Sequence, residues 1–224
     1  AAFARLNGMF AVAIHDARSD ELILARDQIG IKPLYMVHTG TTVAFASEMR
    51  PLFRLQSPQV DEAALAELIT FGWAAGRLSN CRGIERLPGG TLVTVPLAGG
   101  VPAERRFCDP LETLRPDSGP GRVDAEEQVR EALSDSVKAH LASDVGYAVQ
   151  LSGGVDSSLV AALAQEETSG KLASFAVSLG DHPYDEGRYR DMVVQRHGLD
   201  HHEVAISAAD YASALPRAVR HMEG

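Results

Sequence analysis

Apolar and polar positions alternate in blocks whose period changes near the middle of the chain. Residues 9–14 form an unbroken apolar run, residues 15–20 are mostly polar, and residues 22–25 are apolar again. Strand, polar turn, strand predicts a hairpin. Residues 33–37, a Thr39-Gly40-Thr41 turn and residues 42–46 predict a second hairpin, with Gly30 and Pro33 punctuating the connection. Asp61 is placed to cap a helix with Glu62 in its first turn, and the apolar positions Leu65, Leu68 and Ile69 share one face. A third hairpin is expected through residues 84–87, Pro88-Gly89-Gly90 and residues 92–95. This half reads as antiparallel sheet with little helix.

The second half has a different rhythm. Asp124, with Glu127 three residues on, predicts a capped helix along which Val129, Leu133, Val137 and Leu141 make one apolar stripe. The continuous run at 145–151 suits a strand covered on both faces. Leu159, Val160 and Leu163 then fall at helical spacing. Residues 171–177 read as a strand, 185–197 as a helix closed by Gly198, and 202–206 as a further strand. Ser207 with Asp210 reads as the next helix cap. Such alternation predicts a parallel sheet with crossover helices. The fold class is therefore α+β followed by α/β. Pro110, Pro116, Gly119, Pro120 and Gly121 crowd the region between, which predicts a linker at 108–122 joining domains at 1–107 and 123–224.

Composition narrows the function classes. The 224 residues are 45% hydrophobic and 23% charged, which argues against disorder. No stretch approaches the ~18 uninterrupted apolar residues of a membrane span, and no secretory signal is visible at the start. Two cysteines, Cys81 and Cys108, make no disulfide framework, so a cytoplasmic location is expected. The net charge is −9. Residues 1–120 carry 12 basic and 13 acidic side chains, net −1, whereas residues 121–224 carry 9 and 17, net −8. So acidic a second half speaks against nucleic-acid binding, which needs clustered Lys and Arg.

The candidate chemistry lies in Leu151-Ser152-Gly153-Gly154-Val155-Asp156-Ser157-Ser158, between a predicted strand and a predicted helix. A helix N-terminus offers free N–H groups and partial positive charge to an anion such as phosphate. Gly153 and Gly154 let the backbone approach closely. Ser152 and Ser157 can donate hydroxyl bonds, and Asp156 can hold a Mg²⁺ that bridges phosphate oxygens. A turn of Gly and Ser chosen for geometry alone is the competing explanation. Other phosphate templates fail. Before Gly170-Lys171 the first glycine of G-x-x-x-x-G-K-[ST] is replaced by Gln165, and no G-x-G-x-x-G occurs.

Residues 151–158 resemble the pyrophosphate loop of the N-type ATP pyrophosphatases. The wider chain resembles the glutamine-hydrolysing asparagine synthetases. The resemblance rests on Leu6-Asn7-Gly8-Met9-Phe10-Ala11, on Arg26-Asp27-Gln28-Ile29-Gly30-Ile31-Lys32-Pro33-Leu34-Tyr35 and on Ala46-Ser47-Glu48-Met49. Cys81-Arg82-Gly83-Ile84 with Leu87-Pro88-Gly89-Gly90, Ser174-Phe175-Ala176-Val177, and Gly198 with His201-His202-Glu203-Val204 follow in the same order. It implies the later part of an N-terminal-nucleophile (αββα) glutaminase domain, then the start of a parallel-sheet ATP-pyrophosphatase (adenine nucleotide α-hydrolase-like) domain. The implied activity is asparagine formation from aspartate, with glutamine as nitrogen donor, through aspartyl-AMP and pyrophosphate release. Implied partners are glutamine, aspartate and ATP with Mg²⁺, with a homodimer left open. Leu151 and Val177 would contact adenine or ribose. Ser152, Gly153, Gly154, Asp156 and Ser157 would hold pyrophosphate and the metal, Asp156 being its ligand.

The departures matter equally. The family's glutaminase nucleophile is an N-terminal Cys, and here position 1 is Ala1, so no glutaminase catalytic residue is identifiable. The expectation is a piece truncated at both ends and inactive alone. Internal Cys81 and Cys108 lack the adjacent α-amine. His201-His202-Glu203 is expected to be structural, since neighbours on a strand face opposite ways. Asp181, Asp185 and Glu186 are a substrate lip at most, a solvated acidic face by default. A glutamine-independent, β-lactam synthetase-like relative, another amidotransferase with a different acceptor, and a non-enzymatic scaffold are the alternatives.

Overall fold

The computed structural model describes residues 2–40, 42–113, 122–178 and 185–222. Thr41 of the predicted turn, Asp181 and residues 114–121 of the predicted linker lie outside the described residues. The chain divides into two compact units, Ala1–Pro116 with Val219–Gly224, and Asp117–Ala218.

In the first unit β1 (Ala11–Asp16) and β2 (Glu21–Arg26) form the first predicted hairpin, and β3 (Tyr35–Thr39) and β4 (Thr42–Ala46) the second. Helix α1 (Glu62–Phe71) starts where Asp61 Oδ1 accepts the N–H groups of Ala63 at 3.0 Å and Ala64 at 3.1 Å. Its expected apolar face is not its buried one. Leu65 is 43% and Ile69 78% exposed, while Ala64 is fully buried.

The third hairpin does not form. β5 (Glu85–Arg86) joins β3, and β6 (Thr91–Pro96) joins β2 and β7 (Ala103–Arg106). The result is two antiparallel sheets, β1-β2-β6-β7 and β4-β3-β5. The reason is where the backbone of 87–90 finds its partners: Leu87 N donates to Leu34 O at 2.9 Å, and Gly90 N to Asp27 O at 2.7 Å. A Cβ at Gly89 would lie 2.7 Å from Gly30 N, so only glycine lets this segment pass between the sheets. Strand β7 was not foreseen. All four of its residues, Ala-Glu-Arg-Arg, are exposed, so it has no alternation to read.

Two adjacent residues tie this unit together. Asp27 Oδ1 accepts from Ile31 N at 2.9 Å, and Oδ2 accepts from Lys32 N at 2.9 Å and Phe10 N at 3.3 Å. Arg26 donates to the carbonyls of Lys32, Leu87 and Gly30. Both residues are buried, beside a core of Leu24, Leu34, Leu87, Val93 and Val95.

In the second unit α2 (Arg122–His140) precedes β8 (Ala148–Gln150), α3 (Val155–Glu167), β9 (Ala173–Ser178), α4 (Gly187–His197), β10 (Asp200–Ala205) and, as far as Ala218, α5 (Ala208–Met222). The sheet is parallel, in the order β10-β9-β8. Helix α4 ends at Gly198, in the left-handed region at φ 66°. Ser207 and Asp210 cap α5 as expected: Ser207 Oγ donates to Asp210 Oδ2 at 2.6 Å, and Asp210 N donates to Ser207 Oγ at 3.1 Å. The hydroxyl and N–H of Ser207 hold Asp210 below the usual carboxylate range.

Three expectations are corrected here. Asp124 lies inside α2, which already includes Arg122. Only the end of the α2 stripe reaches the core: Val137 is buried and Leu141 packs beside it, whereas Val129 is 58% exposed. The run at 145–151 is a short strand at the sheet edge, with Ala148 and Gln150 exposed, so it is not covered on both faces. On α3 the buried positions are Ala161 and Ala164, while Leu159 and Val160 are exposed. Small residues let the helix approach the sheet closely. The core is Val137, Leu151, Ala161, Ala164, Leu172 and Leu199.

Asp27 yields a pH prediction. Burial pushes its carboxyl up, but the N–H groups of Lys32, Ile31, Phe10 and Gly30 together outweigh that and hold it below its ordinary value. Its stabilisation is present above the unfolded pKa and lost as pH falls through the folded one, so the loss begins near about pH 4. Asp27→Ala leaves three N–H groups without an acceptor and should cost about 2–4 kcal/mol at neutral pH. Urea midpoints measured from pH 7 downward should converge for the variant and the parent in acid.

Candidate functional site

The site begins where β8 ends. Leu151 N donates to Phe175 O at 2.9 Å, prolonging the ladder by one residue, and its side chain is 1% exposed in the core. The chain then reverses into α3 through Ser152-Gly153-Gly154. Gly153 has φ 102°, a region L residues rarely enter, and a Cβ there would lie 2.6 Å from Glu186 O. Gly154 is the helix N-cap at φ −69° and ψ 163°, without a side-chain cap.

Serine hydroxyls brace the turn itself. Gly154 N donates to Ser152 Oγ at 3.2 Å, and Ser152 Oγ and Ser157 Oγ lie 2.9 Å apart. Ser157 Oγ and Ser158 Oγ both donate to Gly154 O, at 3.2 and 2.7 Å. Each contact uses at least one hydroxyl, which can re-aim by rotating one bond. Asp156 lies exposed in the first turn of α3, where the helix dipole favours a negative group. Val177 is 58% exposed near the carboxyl end of β9. Parallel sheets bind ligands at that end of their strands. An open groove of about 690 Å³ runs alongside, lined by Gly153, Val155, Ser158, Tyr189, Met192 and Val193 among others.

The structure thus brings Ser152, Gly153, Gly154 and Ser157 into one hydrogen-bonded turn, with Asp156 on the adjoining helix turn and Val177 on the neighbouring strand. Leu151 offers only its main chain, since its side chain is core. Among the described residues no group of three or more His, Cys, Asp or Glu side chains could hold a metal ion. One exposed carboxylate is nevertheless the donor set Mg²⁺ accepts, since it completes its octahedron with water and phosphate oxygens.

Other candidates resolve differently. His201 and His202 face opposite ways: His201 Nδ1 lies 2.9 Å from Ser174 Oγ, and His202 stacks on Phe175 with ring centroids 5.1 Å apart. Asp185 is no solvated lip. Its side chain is only 10% exposed, and Oδ1 accepts Gly187 N at 2.7 Å. Cys81 and Cys108 are half-buried. Sequence reasoning missed Arg190, a buried cation between Asp185 and Glu203 whose Nη1 reaches Ser152 O at 3.5 Å. A cation inside an otherwise ordinary helix stretch carries no signal of its own.

Residues 1–107 match the glutamine amidotransferase domain family, and residues 128–224 match the asparagine synthase family. The chain is similar to the asparagine synthetases along its length. It is 28% identical over 223 residues to asparagine synthetase [glutamine-hydrolyzing] 1 of Bacillus subtilis, covering 99% of this chain and 34% of that protein. It is 29% identical over 232 residues to asparagine synthetase B [glutamine-hydrolyzing] of Escherichia coli, covering 97% and 36%. A probable asparagine synthetase [glutamine-hydrolyzing] of Dictyostelium discoideum is 27% identical over 97% of this chain and 37% of its own length. The chain thus spans about a third of the length of these curated relatives. Both family matches run in the order that the two units do.

The two loop glycines should differ sharply on substitution. Gly153→Ala forces a Cβ against Glu186 O at positive φ and should cost about 2 kcal/mol or more. In Gly154→Ala the new Cβ meets only side-chain atoms, at 3.3 and 3.4 Å, in an ordinary backbone region. It should cost less than about 1 kcal/mol. Thermal unfolding of the two variants checks the order.

Proposed function

We propose that the second unit carries the pyrophosphate-binding loop of an ATP-dependent, amide-forming ligase that makes asparagine from aspartate with glutamine as nitrogen donor. In this reading residues 1–107 are glutaminase-domain sequence of the N-terminal-nucleophile (αββα) type, 108–122 the connection, and 123–224 synthetase-domain sequence of the ATP-pyrophosphatase type. The observation that carries it is the turn itself: a positive-φ glycine, a glycine N-cap and paired serine hydroxyls at the start of α3, with Asp156 beside them. The relatives' names support glutamine as the donor.

The chemistry assigns each residue a task. The aspartate carboxylate attacks the α-phosphorus of ATP, pyrophosphate leaves, and ammonia released from glutamine then displaces AMP to give asparagine. Charge accumulates on the departing pyrophosphate, and the α3 N-terminus with the Ser152 and Ser157 hydroxyls meets it there. Glycine at 153 lets the turn close against Glu186 O, and glycine at 154 adds no side chain beside the phosphate oxygens. Asp156 would hold Mg²⁺, which neutralises phosphate charge when bound. Val177 and the Leu151 main chain would border the nucleoside.

Titration of this chain with Mg-ATP should show saturable binding, weakened at least about tenfold in Asp156→Ala, the scale of one lost charged contact. The whole protein, given ATP, aspartate and glutamine, should release pyrophosphate and form asparagine. Production of ADP and phosphate in their place would sink the proposal.

A further inference from the structure

We propose that Arg190 is a positioning residue that holds the glycine turn in its anion-binding shape from below. Its side chain is 4% exposed. Nη2 donates to Glu203 Oε2 on β10 at 2.5 Å, Nη1 lies 3.6 Å from Asp185 Oδ1, and the same Nη1 donates to Ser152 O at 3.5 Å. One guanidinium therefore links β10, the start of α4 and the first residue of the turn. The backbone agrees. Arg190 N donates to Glu186 O at 3.2 Å, and both atoms close over Gly153, within 3.1 and 2.6 Å of where its Cβ would be.

A buried guanidinium between two carboxylates is costly unless its donors are met. Here Nε, also buried, has no hydrogen-bond partner among the described residues. That cost is retained for a geometric result: Nη1 holds the Ser152 carbonyl, and with it the turn that leads into α3. A lysine, with a point charge in place of a planar fork, cannot serve Glu203, Asp185 and Ser152 O from one position. Direct ligand contact is not required, since the guanidinium lies beneath the turn and not in the groove.

This rests on the proposed ATP-binding reading, and the test separates the two. Arg190→Met and Arg190→Lys are compared with the parent chain by thermal melting, by amide NMR of Gly153 and Gly154, and by titration with Mg-ATP, Mg-pyrophosphate and AMP. A positioning role predicts shifted or broadened Gly153 and Gly154 amides without ligand. It also predicts at least about tenfold weaker binding of Mg-ATP and Mg-pyrophosphate, AMP affinity changed less than about twofold, and only partial recovery in Arg190→Lys. Glu203→Gln, which keeps an acceptor but removes the charge, should give a milder version and guards against loss of folding in Arg190→Met. If the folded variants bind all three ligands as the parent does with unmoved amides, or lose AMP equally, the positioning role is overturned and the ATP reading stands. If the parent binds neither Mg-ATP nor Mg-pyrophosphate, both are overturned.

Discussion

A chain that reverses sharply must find partners for the N–H and C=O groups it takes out of regular ladders, and that requirement shapes both units. In the first, Asp27 collects the N–H groups of Phe10, Ile31 and Lys32 while Arg26 feeds the carbonyls of Gly30, Lys32 and Leu87. Two side chains thereby fix the loop between β2 and β3 and the crossing at 87–90. In the second, serine hydroxyls do the same work around Ser152-Gly153-Gly154. The solutions differ in kind. Charged, buried groups make a rigid lock, whereas rotatable hydroxyls make contacts that another oxygen can replace. Only the second suits a surface that must accept a ligand.

That contrast explains why the glycines are not equivalent. Gly89 and Gly153 both stand where a Cβ would strike backbone, at 2.7 Å from Gly30 N and 2.6 Å from Glu186 O. At Gly89 the close approach passes the chain between two sheets. At Gly153 it presses the turn onto the start of α4, so the geometry of the candidate site is set by a helix more than thirty positions away in sequence.

Periodic signals were legible where local rules decide. Asp61 and Ser207-Asp210 cap helices as their sequence context predicts, Gly198 closes α4, and the strand, loop and helix around residues 148–167 fall in the expected order. What failed was long-range. The third hairpin was lost because Leu87 and Gly90 bond to different sheets, and β7 was hidden because an exposed edge strand needs no apolar alternation. The apolar stripes on α1 and α3 are only partly buried: Leu65, Ile69, Leu159 and Val160 are exposed, Leu163 packs against the core, and alanines take the fully buried positions. Arg190 was invisible for a related reason: its role comes from Glu203, thirteen residues on, and Ser152, thirty-eight before, brought together by the parallel sheet.

Charge places a last constraint on the proposed chemistry. Residues 121–224 carry 17 acidic and 9 basic side chains, so ATP would approach a repelling surface. Within residues 151–158 there is no Lys or Arg, and the nearest cation described, Arg190, is neutralised by Glu203 and Asp185. In the proposed reading attraction comes from Arg196 at the groove and from sources that act over a few ångströms: the α3 dipole, oriented N–H and hydroxyl groups, and the divalent ion that Asp156 would hold. Such a site discriminates by geometry more than by net charge. An acidic domain around it is compatible with that reading, because a divalent ion held by a carboxylate would convert local negative charge into affinity for phosphate. That site also makes the backbone shape of the turn decisive, since an amide dipole aimed wrongly contributes nothing that a distant charge could restore.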